Sequence, residues 1–191
     1  MPGTVIFING TSSSGKTSLV RALQDRLEEP YLDLGIDRFI FALPRRYLER
    51  PLWDDVLGRA DRAGAAGEWL ISGMQHAIAA AARAGLNVIA DHVLVEQSWV
   101  EECARLFCEL PAYLVGIQCP LEVLEERERS RRDRTLGQAR TQFAVIHRYC
   151  IYDVEVNTSL CSAAECAEQV ITRLASPPAA FQALQRRQKA G

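Results

Sequence analysis

An eight-residue run of small residues and one lysine, GTSSSGKT at positions 10–17, restricts the fold of this chain more than any other stretch. The apolar segment TVIFIN, residues 4–9, precedes it. Leu19, Val20 and Leu23 follow it on one face of an amphipathic helix pattern. Small residues in bulk are typical of flexible linkers, but these flanks place the run inside a folded domain. The chain therefore begins with a strand, a tight turn and a helix.

Short apolar segments alternate with longer amphipathic ones along the rest of the chain. This alternation is typical of an α/β domain whose parallel sheet is built from crossover units and covered by helices on both faces. The sequence predicts five strands, at residues 4–9, 31–36, 87–92, 113–119 and 152–158. It also predicts helices at residues 16–29, 68–85 and 120–132, with a C-cap at Gly85 and an N-terminal Pro120.

The length of 191 residues favours a single domain. We assign residues 1–176 to this domain and residues 177–191 to a C-terminal extension, which is either a short docked helix or a frayed end. Residues 44–67 interrupt the alternation with two prolines and mixed charge, which predicts an insertion over the sheet edge. A short lid is expected at about residues 128–138.

Composition argues against several functional classes. A net charge of −2 disfavours a protein that tracks the phosphates of nucleic acid. The sequence has no signal-peptide pattern and no apolar run of membrane-spanning length, so we expect a cytoplasmic protein that does not act on membranes. The six cysteines show no CxxC spacing, which predicts reduced core thiols rather than a zinc site or disulfides. The oligomeric state stays open, with a homo-oligomer among the alternatives.

Residues 10–17 match the phosphate-loop (Walker A) pattern G-x-x-x-x-G-K-[ST], in the strand and helix context that the pattern requires. Backbone N–H groups of small residues can converge on a polyphosphate because no side chain blocks it, and the helix start adds further unpaired N–H groups. Lys16 is expected to reach the terminal phosphates and Thr17 to bind Mg²⁺. The predicted nucleotide-binding residues are Gly10, Thr11, Ser12, Ser13, Ser14, Gly15, Lys16, Thr17 and Ser18.

A magnesium ion on a phosphate loop usually has a second protein ligand, a carboxylate at the end of a neighbouring strand. Asp91 follows the apolar run LNVIA and takes that place, although an aspartate there also suits a helix cap. The guanine-binding patterns NKxD and TKxD are absent from the sequence, which favours ATP. The predicted cofactors are therefore ATP and Mg²⁺.

Asp37 lies at the predicted end of the second strand, beside the loop. A carboxylate there can accept the proton of a hydroxyl group that attacks the γ-phosphate. Two alternatives stay open: Asp37 caps a helix that begins at Arg38, or Asp33 is the catalytic base. A carboxylate in this place favours a kinase over a motor or a switch.

Five arginines crowd into positions 127–134, with no lysine among them. Arginine without lysine favours bidentate recognition of phosphate. We expect at least two of these side chains to lie on a short lid that closes over ATP, excludes water and stabilises charge on the transferred phosphoryl group. The others keep the helix end solvated.

The sequence resembles the chloramphenicol phosphotransferase family, small phosphate-loop kinases that phosphorylate an antibiotic hydroxyl. The resemblance runs through INGTSSSGKTSLVRALQ, GIDRFI, ARAGLNVIADHV, VGIQCPLEVLEERERSRRDRTLGQA and VIHRYCIYDVEVNTS, and covers most of residues 5–158. It implies a P-loop kinase fold, a five-stranded parallel sheet flanked by helices, that acts on a small-molecule acceptor. It also implies lid arginines at Arg131 and Arg134, so the predicted catalytic residues are Lys16, Asp37, Arg131 and Arg134.

Two features depart from the family pattern. His92 stands where a second acidic residue is expected, and the segment after Leu43 matches poorly. That segment is expected to form part of the acceptor pocket. His92 is a candidate contact to the acceptor, although a histidine at a strand end is more often structural. The candidate acceptor-binding residues are Phe39, Phe41, Trp53, Asp54 and His92, most of which also suit packing over the sheet.

Three functions stay open on the sequence. The favoured one is an ATP-dependent phosphotransferase that acts on the hydroxyl of an antibiotic such as chloramphenicol, and the sequence leaves open whether antibiotic resistance is its natural role. The second is a kinase of a small metabolite, such as a nucleoside, a sugar acid or a shikimate-like acid. Its cationic pocket would use Arg45, Arg46 and Arg50. The third is a nucleotide switch that signals to a protein partner without transferring phosphate.

Overall fold

The computed structural model describes residues 1–43, 60–130 and 137–190, with the side chains of residues 60–68 outside that description. Four of the predicted site residues lie outside the described residues: Trp53, Asp54, Arg131 and Arg134. Arg45, Arg46 and Arg50 lie outside them as well, together with most of the predicted insertion and part of the predicted lid.

Five parallel strands form one sheet: β1 Val5–Asn9, β2 Tyr31–Asp33, β3 Asn87–His92, β4 Ala112–Gln118 and β5 Val154–Asn157. Their order is β2-β3-β1-β4-β5. The central strand β1 pairs with β3 on one side and β4 on the other, so that Ile8 lies opposite both Asp91 and Val115. The predicted α/β class with a five-stranded parallel sheet is confirmed.

Helices connect the strands of this sheet. Gly85, the predicted C-cap, has a φ of 95° in the left-handed region that glycine tolerates, two residues beyond the end of the third helix. The helices of the described ranges are α1 Lys16–Gln24, α2 Ile36–Phe41, α3 Ala60–Arg83, α4 Gln97–Phe107, α5 Leu121–Ser130, α6 Gln138–Phe143, α7 Ala163–Leu174 and α8 Ala180–Ala190.

Two apolar clusters hold the helices on the two faces of the sheet. Leu23 of α1 and Val170 of α7 are fully buried on one face. Ile78 of α3, Phe107 of α4 and Phe181 of α8 are fully buried on the other. Burying side chains of this size stabilises a fold by about 1.5–3 kcal/mol each. With both faces covered, the edge formed by the carboxyl ends of the strands is the expected place for a ligand.

The second strand is shorter than the sequence predicted. It was expected to reach residue 36, but β2 ends at Asp33 and α2 begins at Ile36. The Asp33 carboxylate accepts the backbone N–H of Gly35 at 3.1 Å, a local turn that competes with the strand ladder. Asp37 therefore lies in the first turn of α2 rather than at a strand end. The alternative of a helix that begins at Arg38 with Asp37 as its cap is also wrong, because Gly35 is the N-cap.

The C-terminal extension is a docked helix rather than a frayed end. Phe181 and Leu184 of α8 are buried in the same core as α4. The start of the helix is anchored by Asp153, whose Oδ1 accepts the N–H of Ala179 at 2.8 Å and forms an ion pair with Arg173 at 2.9 Å.

All six cysteines are free thiols, and Cys103, Cys119 and Cys166 are buried. These three serve as small core residues, as the sequence predicted. Among the helices of the described residues, none is both long enough and apolar enough to cross a membrane.

Candidate active site

The run of small residues forms a tight loop between β1 and α1. Ser13 has a φ of 62° and Gly15 a φ of 94°, both in the left-handed region. Left-handed residues within such a run turn successive backbone N–H groups toward one point, which makes a concave site for an anion. Serine rarely adopts this conformation outside functional loops, because its Cβ is crowded there. The loop therefore has the backbone shape that the phosphate-loop pattern predicted.

Lys16 is the first residue of α1 and lies across this loop. Its side chain is buried, and Nζ donates hydrogen bonds to the carbonyl oxygens of Gly10 at 2.8 Å and Thr11 at 2.7 Å. The first turn of α1 contains no acidic residue, so its positive end is left for an external anion. Thr17 and Ser18 in the same turn are exposed.

Three hydroxyl groups of the loop are buried without a hydrogen-bond partner among the described residues. They belong to Ser12, Ser13 and Ser14. Buried hydroxyls are normally satisfied by protein, water or a ligand. Together with the free helix end, these donors indicate a site built for a group rich in acceptor oxygens, such as a phosphate chain.

One cleft of about 470 Å³ lies on the β2 side of the loop. Its lining includes the three residues that the sequence assigned to catalysis and metal binding on this side: Thr17, Asp37 and Asp91. Phe41 also lines it, with 65% of its surface exposed. The structure thus brings a hydroxyl group, the carboxylates of Asp37 and Asp91 and an exposed aromatic ring together beside the phosphate loop.

Asp91 is a carboxyl group of this cleft whose pKa is clearly shifted. It lies on β3 and is only 8% exposed. Gly35 packs so closely against it that a Cβ on Gly35 would lie 1.8 Å from Oδ1. Burial raises the pKa of Asp91 to about 6, with Asp37 and Asp33 adding repulsion while Lys16 opposes the shift. The site therefore holds a buried negative charge that a cation would stabilise.

This strained charge gives a stability prediction for the ligand-free protein. Since the folded-state pKa of about 6 lies above the ordinary value of 3.8, the stability that the protonated carboxyl provides is complete below pH 3.8 and is lost as pH rises through about 6. Asp91→Asn should therefore stabilise the protein by roughly 2–3 kcal/mol at pH 8 and leave it unchanged at about pH 3.5. Denaturant unfolding at both pH values measures this, with Asp25→Asn on an exposed aspartate as control. An equal effect of Asp91→Asn at both pH values would contradict the account.

The side chains at this cleft fit Mg²⁺. The Thr17 hydroxyl and the Asp91 carboxylate are hard oxygen donors, and Mg²⁺ commonly takes one or two protein ligands of this kind alongside phosphate oxygens and water. The described residues contain no cluster of three or more His, Cys, Asp or Glu side chains suited to a metal. A dedicated all-protein metal cage is thus not found in this part of the chain.

A second cleft, of about 410 Å³, lies on the opposite side of the loop. Ser13, Gly15 and Ser18 line its loop side, and Arg127 and Thr158 line its outer side. Arg127 Nη2 donates to the Thr158 carbonyl at 2.7 Å, and Thr158 Oγ1 donates to the Ser14 carbonyl at 2.7 Å. The phosphate loop thus separates two clefts, one lined by carboxylates and one lined by arginine and hydroxyl groups.

Asp33, the sequence alternative to Asp37 as base, also lines the carboxylate cleft. Its Oδ2 forms an ion pair with Arg38 Nη2 at 2.7 Å, and its Oδ1 accepts the Gly35 N–H. Both carboxylate oxygens of Asp33 are thus already bound by donors of the protein.

The remaining acceptor candidates lie in two settings. Phe39 is partly buried against the core, whereas Phe41 is open to the cleft. His92 is fully buried, with its ring 5.8 Å from both Phe7 and Trp99. Its Nδ1 accepts the Val93 N–H at 2.6 Å, and burial lowers the pKa of His92 to about 3, so the ring stays neutral. His92 is a core residue in this structure, and its contact with an acceptor stays a prediction.

Sequence reasoning missed Gln142, which contacts the loop from α6. Its Oε1 accepts the backbone N–H of Ser12 at 2.6 Å. Thr158 was also missed as a loop neighbour. Both contacts join residues that are 130 and 144 positions apart, so no local spacing signals them.

A family model described as "Chloramphenicol phosphotransferase-like protein" matches residues 3–175. The chain belongs to the chloramphenicol phosphotransferase-like family. This membership makes it a phosphotransferase of the kinase type, as the sequence predicted. A relative named "Putative O-phosphotransferase" from Mycobacterium tuberculosis (strain ATCC 25618 / H37Rv) is 34% identical over 186 residues, which cover 88% of this chain and 80% of that protein.

Several solved structures similar to this family member are kinases. The APS kinase of Mycobacterium tuberculosis in complex with AMPPNP and APS has a TM-score of 0.66 and 19% identity, and covers 92% of this chain and 99% of that one. A gluconokinase from Sinorhizobium meliloti 1021 has a TM-score of 0.64 and 18% identity, and covers 91% of this chain and 92% of that one. Structural similarity at sequence identities this low shows the fold alone. The predicted P-loop kinase fold is confirmed.

Proposed function

We propose that this protein transfers the γ-phosphate of ATP to a hydroxyl group of a small molecule, with Asp37 as the catalytic base. The observation that carries the proposal is the position of Asp37, Asp91 and Thr17 in one cleft that borders the phosphate loop. A base, a metal ligand pair and a phosphate cradle within one cleft are the parts that phosphoryl transfer to a hydroxyl requires.

In the proposed reaction, Asp37 accepts the hydroxyl proton as the hydroxyl oxygen bonds to the γ-phosphorus. The bond from that phosphorus to its bridging oxygen breaks, and ADP leaves. Lys16 and the loop amides hold the phosphates in line, which supplies much of the rate by orientation. Arg131 and Arg134 are proposed to stabilise the charge of the transferred group. Thr17 and Asp91 are proposed to hold Mg²⁺, which would supply positive charge that offsets the negative charge of the phosphates.

The two clefts receive different ligands in this proposal. The cleft with Arg127 and Thr158 receives the base and ribose of ATP, because it continues from the helix end where the phosphates bind. The carboxylate cleft receives the acceptor, because Asp37 lies there. The phosphate chain then lies along the loop between them.

The charges of the carboxylate cleft favour a neutral acceptor over an anionic one. Among its described residues, Asp33, Asp37 and Asp91 face two arginines, and Arg38 is already paired with Asp33. An acid such as shikimate or gluconate would bring a further negative charge beside these carboxylates. The exposed ring of Phe41 offers stacking surface to an aromatic acceptor. Chloramphenicol, which is neutral and aromatic and carries hydroxyl groups, fits these features, whereas a sugar acid does not.

Release of ADP measured across a panel of acceptors tests this proposal. We expect neutral hydroxylated antibiotics, chloramphenicol among them, to stimulate ADP release, and sugar acids and shikimate-like acids to leave it at the basal rate. Stimulation by the acids alone would favour a metabolite kinase. ADP release that no acceptor changes would favour a nucleotide switch and contradict the proposal.

A further inference from the structure

Gln142 connects α6 to the phosphate loop through a buried amide. The side chain belongs to a residue that is only 1% exposed, and its Oε1 accepts the Ser12 N–H at 2.6 Å. A backbone N–H can only donate, so the carbonyl end of the amide must face the loop. The orientation of the Gln142 amide is therefore fixed by chemistry as well as by position, and Nε2 is its donor end.

Nε2 of Gln142 is buried and has no hydrogen-bond partner among the described residues, and the same holds for the hydroxyls of Ser12, Ser13 and Ser14. Buried donors are normally satisfied. These four polar side chains at one loop can serve a ligand with several acceptor oxygens.

Both ends of α6 are fixed, so Gln142 is held in place relative to the loop. At the start of the helix, the buried carboxylate of Glu128 accepts the N–H groups of Gly137 at 2.8 Å and Ala139 at 3.0 Å. After it, Asn9 Nδ2 donates to the Ile146 carbonyl at 2.8 Å. Asn9 directly precedes the loop, so the same segment of β1 positions the loop and the helix that carries Gln142.

The position of Ser12 in the loop indicates which phosphate of a bound nucleotide would lie nearest to Nε2 of Gln142. The helix end at Gly15 to Ser18 suits the inner phosphates. Ser12 lies at the other end of the loop, next to the Gly10 and Thr11 carbonyls that bind Lys16 Nζ. Because this lysine reaches the outer phosphates in loops of this pattern, the amide of Gln142 would lie near the terminal phosphate of a nucleotide bound at the loop.

We propose that Gln142 is a specificity residue for the nucleotide: Nε2 donates a hydrogen bond to an oxygen of the terminal phosphate, so the protein binds a nucleoside triphosphate in preference to the diphosphate. The inference rests on the proposed function, because it requires that ATP binds at this loop. The proposed role of Gln142 rests on its contact with Ser12, a residue 130 positions away. Gln142 is not part of the phosphate-loop pattern.

Gln142→Glu separates this role from simple support of the loop. The variant keeps an oxygen for the Ser12 N–H but replaces the NH₂ donor with an anionic oxygen beside the terminal phosphate. Calorimetric titration should show the affinity for a non-hydrolysable ATP analogue falling roughly tenfold to a hundredfold, the size of a lost bond to a charged group, while ADP affinity stays at the wild-type value. Gln97→Glu, the same charge change at an exposed residue of α4, should alter neither affinity.

The outcomes distinguish the inference from the function on which it rests. Retained ADP binding shows that the Gln142→Glu variant is folded at the loop. Equal losses for ADP and the analogue, or no loss for either, would overturn the role of Gln142 and leave the kinase intact. Gln142→Met, which removes the donor without adding charge, should also lower the preference for the analogue over ADP. A wild-type protein that binds neither nucleotide would overturn the proposed function and the inference together.

Discussion

Replacing Asp37 with Asn should lower the turnover number for phosphate transfer by roughly a hundredfold to ten-thousandfold, the usual contribution of a general base. The side chain keeps its size and its place in the first turn of α2, but it can no longer accept the hydroxyl proton. Nucleotide affinity should stay close to the wild-type value, because Asp37 lines the cleft on the acceptor side of the loop. Acceptor-dependent ADP release and ADP titration measure the two quantities separately.

Asp33→Asn is the matched control for this experiment. Asp33 lines the same cleft, but it is tied to Arg38 and to the Gly35 N–H. We expect its loss to destabilise the turn before α2 and to lower turnover far less than the loss of Asp37. Loss of turnover in Asp33→Asn together with retained turnover in Asp37→Asn would show that Asp33, and not Asp37, is the catalytic base.

Replacing Lys16 with Met should give the second large effect, on both binding and transfer. The ammonium group lies across the loop on the carbonyls of Gly10 and Thr11, from where it contacts the outer phosphates in the proposed complex. Loss of a charged donor of this kind lowers turnover by roughly a hundredfold to a thousandfold, and loss of a hydrogen bond to a charged group weakens binding roughly tenfold to a hundredfold. Titration with the ATP analogue and steady-state kinetics measure both effects.

The chain offers an unusually clean control for Lys16, because Lys189 is its only other lysine. Lys189 is exposed near the end of α8, so Lys189→Met makes the same chemical change away from the loop. It should leave nucleotide binding and turnover as they are. Similar losses in both variants would indicate a general charge effect and contradict a specific contact by Lys16.

Much of the fold could be predicted because its signals are local. The strands around Ile8 and Val88 are short apolar runs, and the phosphate loop is contained in eight consecutive residues. The prediction failed at residues 34–36, where alternation alone continued the strand. There the Asp33 carboxylate binds the Gly35 N–H and ends it, a competition between side chain and backbone that periodicity does not reveal.

Site residues could be predicted where the residue type and a local pattern indicate the chemistry. They could not be predicted where the role depends on a contact between distant parts of the chain. Lys16, Thr17 and Asp91 follow from the loop pattern and a strand end, and the structure brings Thr17 and Asp91 to one cleft. Gln142 has no such signal, because its role depends on a contact with a residue 130 positions away. For His92 the sequence left a contact with the acceptor and a structural role open, and in the structure its ring is fully buried beside Phe7 and Trp99.

The proposed enzyme transfers the terminal phosphate of ATP to the hydroxyl group of an acceptor. Incubating the protein with ATP that carries a radiolabelled terminal phosphate, with and without chloramphenicol, tests this transfer most directly. We expect the label to appear in the acceptor, with one ADP formed above the basal rate for each phosphate transferred, and we expect Asp37→Asn to lower the rate of labelling by roughly a hundredfold or more. Label that appears only as inorganic phosphate, at a rate that no hydroxylated acceptor changes, would contradict the proposed transfer.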